Sequence, residues 1–138
     1  MDIETMAYEV IETKKCIIRL YDDDLLEYSI KEGVVLNAAD VLFGKKETTR
    51  RRPGKKFYVL AEGVDFFTMT SEAREICASK EFSDNTHAIA FFTHNISVML
   101  LGELYNKINK PHIPTKVFYN LDNAREWLNE QRAKNNVL

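Results

Sequence analysis

The sequence predicts an α/β fold: a mixed β-sheet with an N-terminal antiparallel meander followed by strand-helix units, in the order β-β-β-α-β-α-β-α-β-α. Three observations carry this prediction. Apolar residues alternate with polar ones through the first thirty positions, the period of a strand with one buried face. Short, wholly apolar runs recur later, as parallel strands covered on both faces require. Each of those runs precedes a stretch with helical spacing, and strands alternating with helices imply right-handed crossovers and parallel pairing.

The elements follow in order. Tyr8 and Val10 flank Glu9; Cys16, Ile18 and Leu20 alternate with Ile17, Arg19 and Tyr21; Leu26, Tyr28 and Ile30 alternate with Glu27, Ser29 and Lys31. The run Asp22-Asp23-Asp24 is a solvated turn, because it lacks the glycine and distant glutamate of a calcium loop. Asn37 caps a first helix, with Asp40 favouring its positive start, and Pro53-Gly54 ends it. Phe57 to Ala61 is a buried strand, and a helix from about Ser71 to Lys80 places Ala73, Ile76 and Cys77 on one side. Ala88 to Phe92 is another strand, leading to a helix from about Asn95 to Asn109. Lys116 to Tyr119 is the last strand, closed by a helix that shares Ala124, Trp127 and Leu128 on a face. In the helix at NISVMLLGELYNKI, Ile96, Leu100, Leu101, Leu104, Tyr105 and Ile108 form one stripe, and Val98 and Met99 extend it. Core packing and a homodimer face are both open readings of so apolar a helix.

Composition bounds the function. At 138 residues, 45% hydrophobic and 29% charged, the chain fits a single domain over 1–138 with a core of its own. No apolar run reaches the roughly 18–20 residues of a membrane span. The acidic start MDIETMAYEV lacks the basic and apolar regions of a secretory signal. Cys16 and Cys77 stand far apart with no CxxC partner, which points to reduced thiols in a cytoplasmic protein.

The stretch GKKETTRRRPGKK concentrates charge. Lys45, Lys46, Arg50, Arg51, Arg52, Lys55 and Lys56 face one acid, Glu47, for a local +6 in a chain of net charge −2. A helix C-terminus followed by a turn accounts for part of it, since cations complement the exposed carbonyls. The surplus makes a basic patch suited to an acidic protein surface. The acidic balance of the whole chain disfavours nucleic acid as a partner.

The segments YVLAEGVDFFTMTSEAR and HAIAFFTHNISVMLLGELYNKINKPHIPTKVFYNLDNAREWL resemble the SpoIIAA-like branch of the STAS domains. That family includes bacterial anti-sigma-factor antagonists and the cytoplasmic tails of sulfate transporters. The similarity covers residues 7–132 in element order and is closest at the end. There a helix, the connection Lys110-Pro111-His112-Ile113-Pro114, a strand with Val117 and Phe118, and the Ala124, Trp127, Leu128 helix follow one another. The resemblance implies a SpoIIAA-like fold and a small bacterial domain with no assigned chemistry, acting by protein–protein binding or self-association. It also implies a phosphoacceptor in the loop after Phe57 to Ala61, where Thr68, Thr70 and Ser71 stand, with Thr70 and Ser71 as candidates. The family's glycine after the acceptor serine is missing, and Glu72 and Glu75 oppose a phosphate that the helix N-terminus would favour. Simple capping by Thr70 or Ser71 is the alternative.

No catalytic constellation emerges. His87, His94 and His112 lack metal-site spacing, no serine sits in a Gly-x-Ser-x-Gly elbow, and no glycine-rich phosphate loop exists. Neither a metal nor a cofactor is expected, and the protein reads as a non-enzyme. Open parallel sheets bind ligands beyond the carboxyl ends of their strands. Asp65, Thr68, Thr93, His94, Asn95 and Asn120 fall there and form the candidate ligand pocket. A domain that binds or senses a small ligand, polar or apolar, is therefore the alternative to a protein-interaction domain.

Overall fold

The computed structural model describes residues 7–136. Residues 1–6, most of the acidic start read against a secretory signal, lie outside the described residues. Three strands open the chain: β1 (Tyr8–Glu12), β2 (Cys16–Tyr21) and β3 (Leu25–Ile30). They pair antiparallel as the predicted meander, with Ile11 opposite Ile18 and Leu20 opposite Leu26. The turn before β3 is set by the side chain of Asp23, whose Oδ1 accepts from the Leu25 N–H at 2.9 Å.

Helix α1 (Ala38–Arg51) starts on a capping box. Asn37 Oδ1 accepts from the Asp40 N–H at 3.0 Å, and Asp40 Oδ2 accepts from the Asn37 N–H at 2.8 Å. Gly54 follows at φ +76°, a left-handed conformation that glycine adopts without strain. Strand β5 (Phe57–Glu62), helix α2 (Ser71–Ala78), strand β7 (Thr86–Phe92), helix α3 (Ile96–Ile108), strand β8 (Thr115–Phe118) and helix α4 (Leu121–Asn136) complete the predicted sequence of elements. Two short strands were not expected: β4 (Val35–Leu36) and β6 (Thr68–Met69), which pair parallel in a ribbon of their own.

The main sheet has the order β1-β2-β3-β5-β7-β8, and β3, β5, β7 and β8 are mutually parallel. Because each crossover steps the same way, right-handed connections put α1, α2 and α3 on one face. Helix α4 then packs on the other, against β5, β7 and β8. This α4 face is densely filled. Ala88, Ala90 and Ala124 are fully buried, so helix and sheet approach closely, and Tyr58, Leu60, Phe92 and Leu128 fill the spaces between them. Arg132 fastens the layer by a two-pronged ion pair to Asp24, at 2.6 and 3.0 Å. The α1–α3 face is different.

Candidate functional site: a cavity under three helices

Period-two alternation sends Tyr28 and Ile30 of β3, Val59 and Ala61 of β5, Ile89 and Phe91 of β7, and Val117 of β8 to the α1–α3 face. The helices above do not close on them. The buried residues of α1 are only Gly44 and Thr48, and its large apolar side chains Leu42 and Phe43 point outward, nearly half exposed. Helix α2 packs chiefly on α1, while α3 packs on β8. The latter contact is tight: a Cβ on Gly102 would lie 2.8 Å from Val117 Cγ2. The helices are thus drawn to the two sides, and a cavity of about 690 Å³ remains between them and the sheet.

Its walls are Val41, Lys45 and Thr48 of α1, Arg74 and Cys77 of α2, and Val98, Leu101, Leu104 and Tyr105 of α3. The lining is overwhelmingly apolar; of its charged members Asp40, Lys45 and Arg74 are engaged within the protein, and Glu75 is exposed. Lys45 Nζ pairs with Asp84 and Asn85 and lies 5.9 Å over the Phe82 ring; Arg74 donates to the Met69 carbonyl. Both thiols line the cavity. Burial, reinforced by the Asp40 charge, pushes Cys16 up to about 11, and burial pushes Cys77 up to about 12. Neither is a thiolate near neutrality.

The stripe of α3 does not go into a core. Ile96, Leu100, Leu101, Leu104 and Ile108 are exposed, Ile108 by 67%, and only Val98 is buried. Core packing, one of the two readings of this helix, therefore fails for these five residues. The physical reason is the same standing-off that makes the cavity: Leu101, Leu104 and Ile108 form its open rim.

Of the residues proposed for a pocket, Thr68 lines the cavity. Thr93 is buried and donates to the Gly63 carbonyl at 2.7 Å, bracing the ends of β5 and β7. Asn95 caps α3 by accepting from the Ser97 and Val98 N–H groups, and Asn120 accepts from the Asn123 N–H at the start of α4. His94 packs edge-on to Phe92 and beside Tyr119. Asp65 is exposed. The Thr70 hydroxyl caps α2 by accepting from the Ala73 N–H at 3.1 Å; Ser71 is exposed on the cavity rim.

The basic patch is largely paired internally. Arg51 and Arg52 both hold Glu9 of β1, Arg50 and Arg51 hold Glu47, and Lys55 donates to the Asp22 carbonyl. Glu9 is correspondingly held below the usual carboxylate range, chiefly by Arg51. The excess positive charge thus fastens α1 to the edge of the sheet. Among the described residues no helix is long and apolar enough to cross a membrane.

The sequence matches a domain of unknown function, DUF7793, over residues 19–132. The chain belongs to the DUF7793 family. Among curated proteins no relative matches it. In structure this DUF7793 domain is similar to an uncharacterised protein of the DUF3478 family with a SpoIIAA-like fold, from Shewanella loihica PV-4. The TM-score is 0.57 at 12% identity, over 89% of this chain and 93% of that one. The DUF7793 domain thus has the SpoIIAA-like fold that its closing helix–strand–helix pattern suggested. What sequence reasoning missed is the cavity, which none of the residues proposed for a ligand pocket except Thr68 reaches.

Proposed function

We propose that this DUF7793 domain binds a small, largely apolar molecule in the cavity between its sheet and helices α1, α2 and α3. One observation carries the reading: about 690 Å³ of apolar-lined space beside a face packed to full burial. Protein interiors leave few voids larger than a water molecule, and ligand pockets typically measure about 300–1,000 Å³. Bulk water fills so apolar a space poorly, so an apolar occupant gains the burial that the helices do not supply. The ordinary protonation of its thiols and the engagement of Lys45 fit a holding site rather than a reacting one.

The test is native mass spectrometry on protein purified gently from its own host. A retained, stoichiometric small molecule is the expected result. Apo masses throughout, together with no uptake of apolar probes by the purified protein, would sink the reading. A second reading, binding to a protein partner or to another copy, is favoured by the exposed stripe of α3. A clean apo dimer in the same spectra, lost on Leu100→Gln, would select it.

A further inference from the structure

The tyrosines of this domain divide by face. On the α4 face, the buried phenols are satisfied: Tyr21 Oη donates to Glu27 at 2.8 Å, and Tyr58 Oη accepts from Asn135 Nδ2 at 2.7 Å. A buried tyrosine hydroxyl usually finds such a partner, because leaving it unmade forfeits the hydrogen bonds it had in water. The two tyrosines of the cavity differ: they are half-buried, and no protein group among the described residues holds their hydroxyls. Tyr28 and Tyr105 both line it, both are desolvated by the surrounding protein, and neither hydroxyl has a hydrogen-bond partner among the described residues.

The placement of Tyr28 follows from its neighbours. In register it lies beside Ala61, whose small side chain leaves the ring open toward the middle of the cavity. Above it stands Gly44 of α1, where an added Cβ would come 3.0 Å from the hydroxyl oxygen. A larger residue at either position would crowd the phenol. Tyr105 comes from the opposite wall, on α3, and Cys77 of α2 also lines the cavity. An apolar cavity therefore carries two half-buried donors that no protein group among the described residues engages.

We propose that the ligand is an apolar molecule with a neutral oxygen acceptor, a ketone, ester or un-ionised carboxyl group, to which the hydroxyls of Tyr28 and Tyr105 donate. The inference rests on the cavity reading above. A neutral acceptor fits because Lys45 is already held by Asp84 and Asn85, Arg74 donates to the Met69 carbonyl, and the Asp40 and Glu75 carboxylates share the lining, so an anion would meet acids there as well as cations. Phenol donors orient such a group while the aliphatic and aromatic lining takes the rest of the molecule.

The experiment uses the ketone fluorophore 6-propionyl-2-(dimethylamino)naphthalene, whose emission moves to longer wavelength when its carbonyl accepts a hydrogen bond. Wild type should bind it one to one with long-wavelength emission. Tyr28→Phe and Tyr105→Phe should each bind it roughly 2- to 10-fold more weakly, the worth of one net hydrogen bond, and shift the emission to shorter wavelength. Each should melt at or above the wild-type temperature, since the lost hydroxyl had no partner; Tyr58→Phe, which loses one, should melt lower. Ala61→Trp puts an indole into the middle of the cavity, across the probe's site, and should abolish binding. If both phenylalanine variants match wild type in affinity and spectrum while Ala61→Trp blocks binding, the cavity reading stands and the phenol proposal falls. If wild type does not bind the probe, or Ala61→Trp binds it normally, both fall. Competition by dodecanoate and its methyl ester tests the neutral acceptor: the ester should compete at least as well, and a clear preference for the carboxylate that Arg74→Gln removes would overturn it.

Discussion

Two alanines on adjacent central strands face opposite sides of the sheet and give a direct test of how the two faces are packed. Ala61 of β5 lines the cavity, whereas Ala90 of β7 is fully buried against α4, among Leu60, Ala124 and Leu128. Replacing either by leucine adds the same three carbons to a parallel strand paired on both sides, so strand propensity largely cancels. At Ala61 the added carbons enter open space. At about 0.8 kcal/mol per buried methylene the gain is about 2 kcal/mol at most. At Ala90 they meet packed atoms, and overpacking costs roughly 1–3 kcal/mol. The two variants should therefore differ by about 1–5 kcal/mol, with opposite signs relative to wild type. For a chain of this size each kcal/mol moves the melting temperature by roughly 3–5 °C, so calorimetry on protein stripped of small molecules resolves the difference easily. If Ala61→Leu destabilises as much as Ala90→Leu, the α1–α3 face is packed in solution, and the ligand reading loses its foundation.

Three further outcomes follow from the same geometry. Cys16 and Cys77, pushed up to about 11 and about 12, should exchange with an aromatic disulfide at about pH 8 roughly 100-fold more slowly than ordinary thiols; reaction at the unfolded rate would show that neither is enclosed. Asp40 is pushed up by burial, but the Asn37 N–H and the Lys15 ammonium outweigh this and hold its carboxyl below the ordinary 3.8. Its contribution is present above the unfolded value and lost as pH falls through the folded one, so Asp40→Asn should flatten the acid limb of stability below about pH 4 in urea titrations; an unchanged limb refutes the assignment. Ile96→Gln with Leu100→Gln should change stability by no more than about 0.5 kcal/mol, because both side chains are exposed, and a loss above about 2 kcal/mol in denaturant unfolding would place the stripe in a core.

Much of the fold was legible because backbone periodicity and caps are local signals. The alternation at Cys16, Ile18 and Leu20 defined β2, and Asn37 with Asp40 marked the start of α1, each through interactions spanning a few residues. The β4–β6 ribbon was not legible: two residues per strand carry no period, and its pairing joins Val35 to Thr68 across a helix and a strand. The loop residues chosen for a pocket were polar for a nearer reason. Thr93, Asn95 and Asn120 satisfy backbone groups where strands give way to helices, and such tasks use the same residue types as ligand sites. The charge of GKKETTRRRPGKK likewise found its acids far away in sequence, at Glu9 and Asp84, where no local pattern could pair them.

A cavity has no motif, but it has a deficit, and α1 carries one. A helix covering a parallel sheet needs a stripe of large apolar residues at spacings of three and four. The inward positions of α1 are Val41, Gly44, Lys45 and Thr48, while Leu42 and Phe43 lie on the outside. Such a face cannot fill the space above Tyr28, Val59 and Ala61, whatever the sheet offers it. Shortening of α2 to eight residues removes a second source of cover. The close seating of Gly102 on Val117 then commits α3 to the far side rather than the gap. Each feature is poor design for a core, and each becomes coherent if the missing apolar volume is supplied by a bound molecule whose oxygen meets the free hydroxyls of Tyr28 and Tyr105.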